Sequence, residues 1–600
     1  MNLLIFGKNK TNIMRKRNTL FLTLFFATVT SWSQYVIKSV EDLSNLKKVP
    51  QEKVFVNHTG PVIFTGEYVY YSFQCFNAQN SRPSTVSKVG YVALVNEDRE
   101  YILEQKIKLD KGLGQGDFFV STEVPSGNYK LLGYTQWMKN NGLAQVFKDD
   151  MIIINPYFAD QSSFLANSDE ENASERMDVP SAQVMDSSIV GLVMDKTVYG
   201  LREKVNLSLK NYKGNLGNGT YTVKVMKKSP LTPKHEMNAI SFAKDYFNVD
   251  KEIKLRVGDS LFLPEQRGEL LFGTVTSTVS GQPLSDTPVV VSLPGKEFVL
   301  KFATTDADGN FYTYLRKDYK ERVAIIQVED SDSDVAIKVR SPRKLNVANL
   351  KFGNFTFDEK LAEAIKERSV HNQIENQFFS LKPDSVLLGD PIDPFDGGIP
   401  EMVVLDEYTR FPTFQETLVE ILNNAGYRNN SNGNDYIRIA QDFETFNEEF
   451  NSFPAIVLFD GVFITNHEAM KEYDARNIKS ISLIRDQFQL ANKEYQGIMA
   501  VETFDGDYYE KYNLKNGTSA TITKPSPNKN YYVQVYDNTS FDRVPDYRTL
   551  LFWKPNAVIN DTNLDFEFFT SDVKGTYDII VDGFTTYGKP ISFSRSITVE

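Results

Sequence analysis

The chain has 600 residues, 41% of them hydrophobic and 13% aromatic, which excludes wholesale disorder and suits roughly four or five domains of ~100–150 residues each. A net charge of −12 argues against a general nucleic-acid binder. A single cysteine, Cys75, excludes an intrachain disulfide; with four histidines (His58, His235, His371, His467) it also excludes a cysteine-rich zinc site.

In chain order, the first residues read as a targeting segment. "MRKRN" (14–18) is basic and "SWS" (31–33) is a small-x-small cleavage site before Gln34. Between them "TLFLTLFFATVT" (19–30) is apolar but shorter than the ~20 residues of a transmembrane helix. The expectation is a signal peptide over 1–33, an N-terminal extension over 34–49 and an exported protein. No cysteine stands at the cleavage position, so no covalent lipid anchor is expected. Residues 50–157 alternate as antiparallel strands do, in "KVFVNH", "YVYYSFQCF", "GYVALV" and "YILEQKIKL", between Gly, Pro, Asn and Asp turns. Cys75, inside the second of these, reads as a buried, inert thiol. Residues 158–188 are polar and acidic without periodicity, an acidic linker. Strand patterns resume over 189–263 and again over 264–345.

Helices are expected only after residue 355. "FDEKLAEAIKERS", with Leu361 and Ile365 four apart, lies in a helical connector over 346–400. "TFQETLVEILNNAG" has Thr413 and Glu416 as a capping box, Phe414, Leu418, Ile421 and Leu422 on one face, and Gly426 at the stop. In "FPAIVLFDGVFIT" (453–465), Asp460-Gly461 between two β-forming runs predicts a two-residue hairpin, because both turn residues need positive φ. A short helix "HEAMKEYDA" and strands "IKSISLI" and "GIMAVET" complete a mixed α+β domain over 401–510, and 511–600 returns to strands as a final sandwich.

Three kinds of resemblance attach to these runs. "VFVNHTGPVIFTGEYVYYSF", "GYVALVNEDREYI" and "GQGDFFVSTEVPSGNYKLLGYTQWM" resemble the macroglobulin-type β-sandwich repeated in the alpha-macroglobulin family. "DKTVYGLREKVNLSL" (195–209) and the Ser-Asp-x-x-Gly-x-Tyr-x-Ile-x-Val phrase at 571–581 resemble it too. "GELLFGTVTSTVSGQPLSDTPVVVSLPG" with "FATTDADGNFYTYL" resembles the carboxypeptidase regulatory-like domain, which implies a transthyretin-like sandwich without catalysis of its own. "LDEYTRFPTFQETLVEIL", "FPAIVLFDGVFI", "YDARNIKSISLIRD" and "YQGIMAVET" resemble the plug domain of TonB-dependent outer-membrane receptors. A receptor barrel needs about 22 strands of roughly 9–11 residues, and only about 90 residues follow the plug-like run, so no barrel is expected in this sequence. The expected fold class is mainly β: a string of immunoglobulin-like or macroglobulin-like β-sandwiches with one plug-like α+β domain.

No motif for catalysis emerges. A macroglobulin thioester needs Cys and Gln together, whereas Cys75 stands in "FQCFN" and "PEQRG" (264–268) has no cysteine. His235-Glu236 is followed by Ala239 and His467-Glu468 by Lys471, so neither completes H-E-x-x-H, and both histidines read as surface residues. Asp330, Asp332 and Asp334 open like a calcium loop, but Val335 and Ser341 stand where Gly and Glu are needed, which leaves weak calcium candidates there and at Asp306 and Asp308. Solvated turns are the simpler reading of both. Exposed Trp137 and Trp553 are considered as a glycan platform. The expectation is a non-enzymatic, exported protein of the periplasm, the outer membrane or the cell surface, with no cofactor. The plug resemblance implies an outer-membrane β-barrel complex as partner, in nutrient import, protein secretion or outer-membrane protein assembly. The alternatives are a protease-binding protein without a thioester, for which 158–188 is the one candidate bait, and a glycan-binding module.

Overall fold

The computed structural model describes residues 35–600 except 159–187, 232–236, 249–254, 317–318, 320–321, 330–333, 356–360, 388, 390–392, 396, 430–432, 442–451, 491–492, 512–515, 537–542 and 561–562. The expected targeting segment, all but the edges of the expected linker, His235, Asp330 and Asp332 lie outside the described residues. The extension is folded: Tyr35–Val36 pairs with Ser260–Leu261, and helix α1 (Val40–Lys47), capped by Ser39, joins the small cluster around Ile37 and Trp137.

The alternation over 50–157 becomes a sandwich of β1 (Glu52–His58), β2 (Val62–Phe64), β3 (Tyr68–Asn77), β4 (Val89–Asn96), β5 (Tyr101–Lys108), β6 (Leu113–Phe119), β7 (Gly127–Tyr134) and β8 (Phe147–Ile154). One sheet runs β1-β3-β6 and the other β2-β8-β7-β4-β5, with β2 and β8 parallel. Between them Phe55, Tyr71, Phe73 and Tyr129 are buried, each large apolar side chain contributing about 1.5–3 kcal/mol.

The chain then starts a second sandwich with β9 (Val190–Met194), β10 (Val198–Tyr199), β11 (Lys204–Asn211) and β12 (Gly219–Lys227) and leaves it unfinished. Helix α2 (Ala239–Tyr246), with an Asn238/Ser241 capping box, inserts Phe242 among Phe55, Phe147 and Phe584. Next comes a smaller sandwich of β13 (Glu269–Ser277), β14 (Pro288–Leu293), β15 (Val299–Thr304), β16 (Asn310–Leu315), β17 (Val323–Val328) and β18 (Val335–Arg340). Helix α3 (Ala362–Gln377) lies against the β2 edge of the first sandwich, tied by Arg368 to Glu67 at 2.7 Å.

An α+β unit follows: β19 (Glu401–Val404), α4 (Phe414–Ile421), β20 (Ala425–Asn429), β21 (Asp435–Ile439), β22 (Ile456–Phe459), β23 (Val462–Phe463), β24 (Ile478–Leu490) and β25 (Lys493–Thr503). Its main sheet runs β19-β24-β25-β22-β23. Strand β26 (Gly517–Thr521) then returns to pair with β17 and extends the smaller sandwich. Finally β27 (Leu550–Ile559), β28 (Leu564–Phe569), β29 (Gly575–Thr585) and β30 (Pro590–Val599) complete the second large sandwich, whose sheets run β9-β11-β28 and β10-β30-β29-β12-β27. The chain is therefore nested, one unit inside another.

The mainly β class stands, and three expectations change. Residues 189–263 and 511–600 are not two sandwiches: β12 pairs on one side with β27 and on the other with β29, so the two segments share one core. Helices occur before residue 355, because a two-turn helix such as α2 offers too short a periodic run to stand out. The "HEAMKEYDA" helix is only a 3₁₀ turn over Glu468–Met470.

Candidate interaction surface

The Asp460-Gly461 hairpin has the backbone its sequence demands: Asp460 has φ +45° and Gly461 φ +82°, between the paired β22 and β23. It is not a free tip. Asp460 is 5% exposed; its carboxylate accepts from Thr503 N at 2.8 Å, Thr503 Oγ1 at 2.6 Å and Tyr508 N at 3.1 Å. Its carbonyl accepts from Gly295 N at 2.8 Å, and a Cβ on Gly461 would stand 2.5 Å from Phe298 Cβ. Val290 and Phe298 of the smaller sandwich share an apolar cluster with Ile456, Leu458, Phe463, Ile484, Tyr495 and Ile498. One face of the α+β sheet is thus sealed inside this chain.

The opposite edge is open. Among the described residues strand β19 pairs with β24 alone, and it and its approach expose Met402 (64%) and Ile399 (92%). Glu401 on the same strand pairs with Arg485 at 3.2 Å. An edge strand with unpaired backbone groups and apolar side chains is a template for strand addition. Thr413 caps α4 by accepting from Glu416 N at 3.2 Å; the helix ends at Ile421, and Gly426 falls in β20 rather than at the stop. Val419 on its outer face is exposed.

The remaining candidates are spread over the molecule. Asp306 caps a turn, accepting from Asp308 N at 3.0 Å and Asn310 N at 2.9 Å, and pairs with Lys38 at 2.7 Å. Its carboxyl lies below the ordinary range despite partial burial, held down by the Lys38 ammonium and these backbone donors. Asp334 gives its carbonyl to Thr278. Among the described residues no cluster of three or more His, Cys, Asp or Glu is placed to hold a metal. His467 is buried rather than at the surface: Ile437 N donates to its Nδ1 at 3.0 Å, and burial pushes its pKa down to about 4. His58 is buried against Asp149 at 3.0 Å, and His371 stacks on Tyr547. Burial pushes the Cys75 thiol pKa up. Trp137 and Trp553 are both buried, so neither is an exposed platform.

No protein-family model and no curated protein matches the sequence. Among solved structures, a Salmonella alpha-2-macroglobulin is similar over 91% of this chain and 39% of its own, at 9% identity and a TM-score of 0.23. An Escherichia coli alpha-2-macroglobulin activated by porcine elastase is similar over 92% of this chain and 44% of its own, at 7% identity and a TM-score of 0.23. The Yersinia pseudotuberculosis adhesin InvE is similar over 48% of this chain and 58% of its own, at 10% identity and a TM-score of 0.13. The chain spans about two fifths of the length of these macroglobulins. These are β-domain proteins like this one, and overlays this loose carry no weight for arrangement or function. No described helix is long and apolar enough to cross a membrane.

Proposed function

We propose that this chain is an exported, non-enzymatic protein of the cell envelope that binds an outer-membrane β-barrel complex as an accessory subunit. The processes it would serve are nutrient import, protein secretion or outer-membrane protein assembly. Support comes from the plug-like run over 401–510 in a chain otherwise built of sandwiches. The observation that carries the reading is the asymmetry of the α+β sheet. Its hairpin edge is engaged by Gly295 and Phe298 within the chain, while β19 at the far edge keeps Met402 and Ile399 in solvent. A docked plug-like unit of this kind would act from outside a barrel, by adding a strand to the partner, rather than by filling its lumen.

The test is purification of tagged protein from native membranes in mild detergent. Stoichiometric recovery of one barrel complex is the expected result. Met402→Asp, placing a charge on the open edge, should lower that recovery about tenfold, a loss of about 1.4 kcal/mol. Recovery of the protein alone would remove the proposal.

A further inference from the structure

A cavity of about 200 Å³ lies where the turn before β3, helix α3, the segment around Tyr531 and strand β27 converge. A wider cavity of about 600 Å³ adjoins it, and the two share Tyr531, Phe552 and Trp553 as a wall. Among the described residues, three polar atoms on these walls are buried without a hydrogen-bond partner: Trp553 Nε1, Tyr531 Oη and, in the wider cavity, Asn556 Oδ1. Trp553 is only 5% exposed. A buried indole N–H without an acceptor costs about 1–3 kcal/mol, so its retention beside a cavity needs a reason.

The neighbourhood states what kind of group would satisfy it. Aromatic faces dominate: Tyr68 stacks on Phe379 at 4.9 Å, and Tyr70 meets Tyr531 edge-on at 5.1 Å. The cations lining the smaller cavity are already neutralised. Arg368 pairs with Glu67, Lys382 with Glu375 at 2.5 Å, and Arg548 with Asp546 at 2.6 Å. Nearby Lys529 is shared by Asp117 at 2.8 Å and Asp384 at 3.6 Å. Burial lowers the pKa of the His371 imidazole. Among the described residues every cation lining the smaller cavity is thus paired, Lys554 lining only the wider one, and an apolar ligand would leave both donors unsatisfied.

We propose that this junction binds a neutral polyhydroxylated ring, a saccharide unit, with a hydroxyl oxygen accepting from Trp553 Nε1–H and Tyr531 Oη–H. The C–H face of the ring stacks on the aromatic wall, and in the wider cavity a hydroxyl donates to Asn556 Oδ1. The ligand bridges the first sandwich, α3 and the second sandwich, so its binding stiffens the joint between them.

The test uses the full chain and a panel of neutral hexoses, with inorganic phosphate as the anionic comparison, read by tryptophan fluorescence and thermal midpoint. At least one hexose is expected to give a saturable change, and phosphate none. Tyr531→Phe keeps the ring and removes its donor. It should weaken binding about tenfold while leaving the unliganded protein at least as stable as the wild type, since it removes an unsatisfied group. Absence of a saturable response to every hexose would overturn the proposal. So would a response to phosphate alone, hexose binding unchanged in Tyr531→Phe, or destabilisation of unliganded Tyr531→Phe, which would reveal a donor already engaged in the fold.

Discussion

The two large sandwiches have the same plan executed in different ways. In each, the first, third and sixth strands form one sheet; the second, eighth, seventh, fourth and fifth form the other; and the second and eighth are parallel. In the first sandwich the fourth and fifth strands are joined by the short turn between Asn96 and Tyr101. In the second the same connection runs through residues 228–549, which hold the smaller sandwich and the α+β unit. Lys227 N still donates to Thr549 O at 2.7 Å, so the inserted chain leaves and returns at one spot. A flexible loop of that length would cost about 4 kcal/mol more to close than a four-residue turn, at ~0.6 kcal/mol per doubling. Folded inserts with adjacent ends avoid most of that cost, which is why a hairpin tip accepts them. Topology here belongs to the strands, and the length of a connection is incidental to it.

The strongest way to break this comparison is to remove the insert. Joining Met226 to Leu550 through an Asn-Gly turn should restore the short hairpin of the first sandwich, since the two already face each other in register. The expected product is a protein of residues 188–226 and 550–600 that unfolds cooperatively and resists protease. Conversely, a chain ending at residue 549 should lose protection throughout 188–227 while retaining it over 52–154. Protection of 188–227 in that truncated chain would show that its strands do not depend on β27 and β29.

Individual strands were legible because alternation and turn residues are local properties: Asp460-Gly461 dictates its own φ angles, and "GTYTVKVMKKS" reads as a strand wherever it pairs. Pairing was not legible across the insert, because nothing in β12 names β27 rather than a nearer strand. The one available clue was the likeness of "VPSGNYKLL" (124–132) to "DVKGTYDII" (572–580), which places Tyr129 and Tyr577 on seventh strands of the same design. The open edge at β19 was equally invisible, since exposure of Met402 depends on which strands are absent beside it. The orphaned indole of Trp553 is a matter of three-dimensional neighbours alone.

The joint between the sandwiches gives a pH-dependent effect of intermediate size. Asp582 of β29 is buried there, accepting from Asn57 Nδ2 at 2.5 Å and Ala239 N at 2.8 Å. Burial raises its pKa to about 6 from the ordinary 3.8, against the opposing pull of Ala239 N and Lys224. The folded state therefore holds a proton that the unfolded chain releases. Below the ordinary carboxylate pKa the two states are alike. As pH rises through the window from there to about 6, stability falls by on the order of 2–3 kcal/mol, and it stays lower above. Asp582→Asn should flatten the thermal midpoint across that window; an unchanged slope would place the titrating group elsewhere.

The smallest effect tests whether shared topology brings shared stability. Tyr129 Oη donates to Pro125 O at 2.7 Å in the first sandwich, and Tyr577 Oη donates to Val573 O at 2.8 Å in the second, each spanning four residues at the entry to the seventh strand. Replacing either tyrosine by phenylalanine keeps the ring in its core and strands a backbone carbonyl, a loss of about 1–2 kcal/mol. The two sites share no partner, so their costs should add in the double variant if the molecule unfolds as one. One transition is expected, because Phe584 of the second sandwich packs with Phe55 and Phe76 in the core of the first. A biphasic melt, with Tyr129→Phe moving one step and Tyr577→Phe the other, would mean instead that the two copies of the plan stand independently and that the aromatic joint only tethers them.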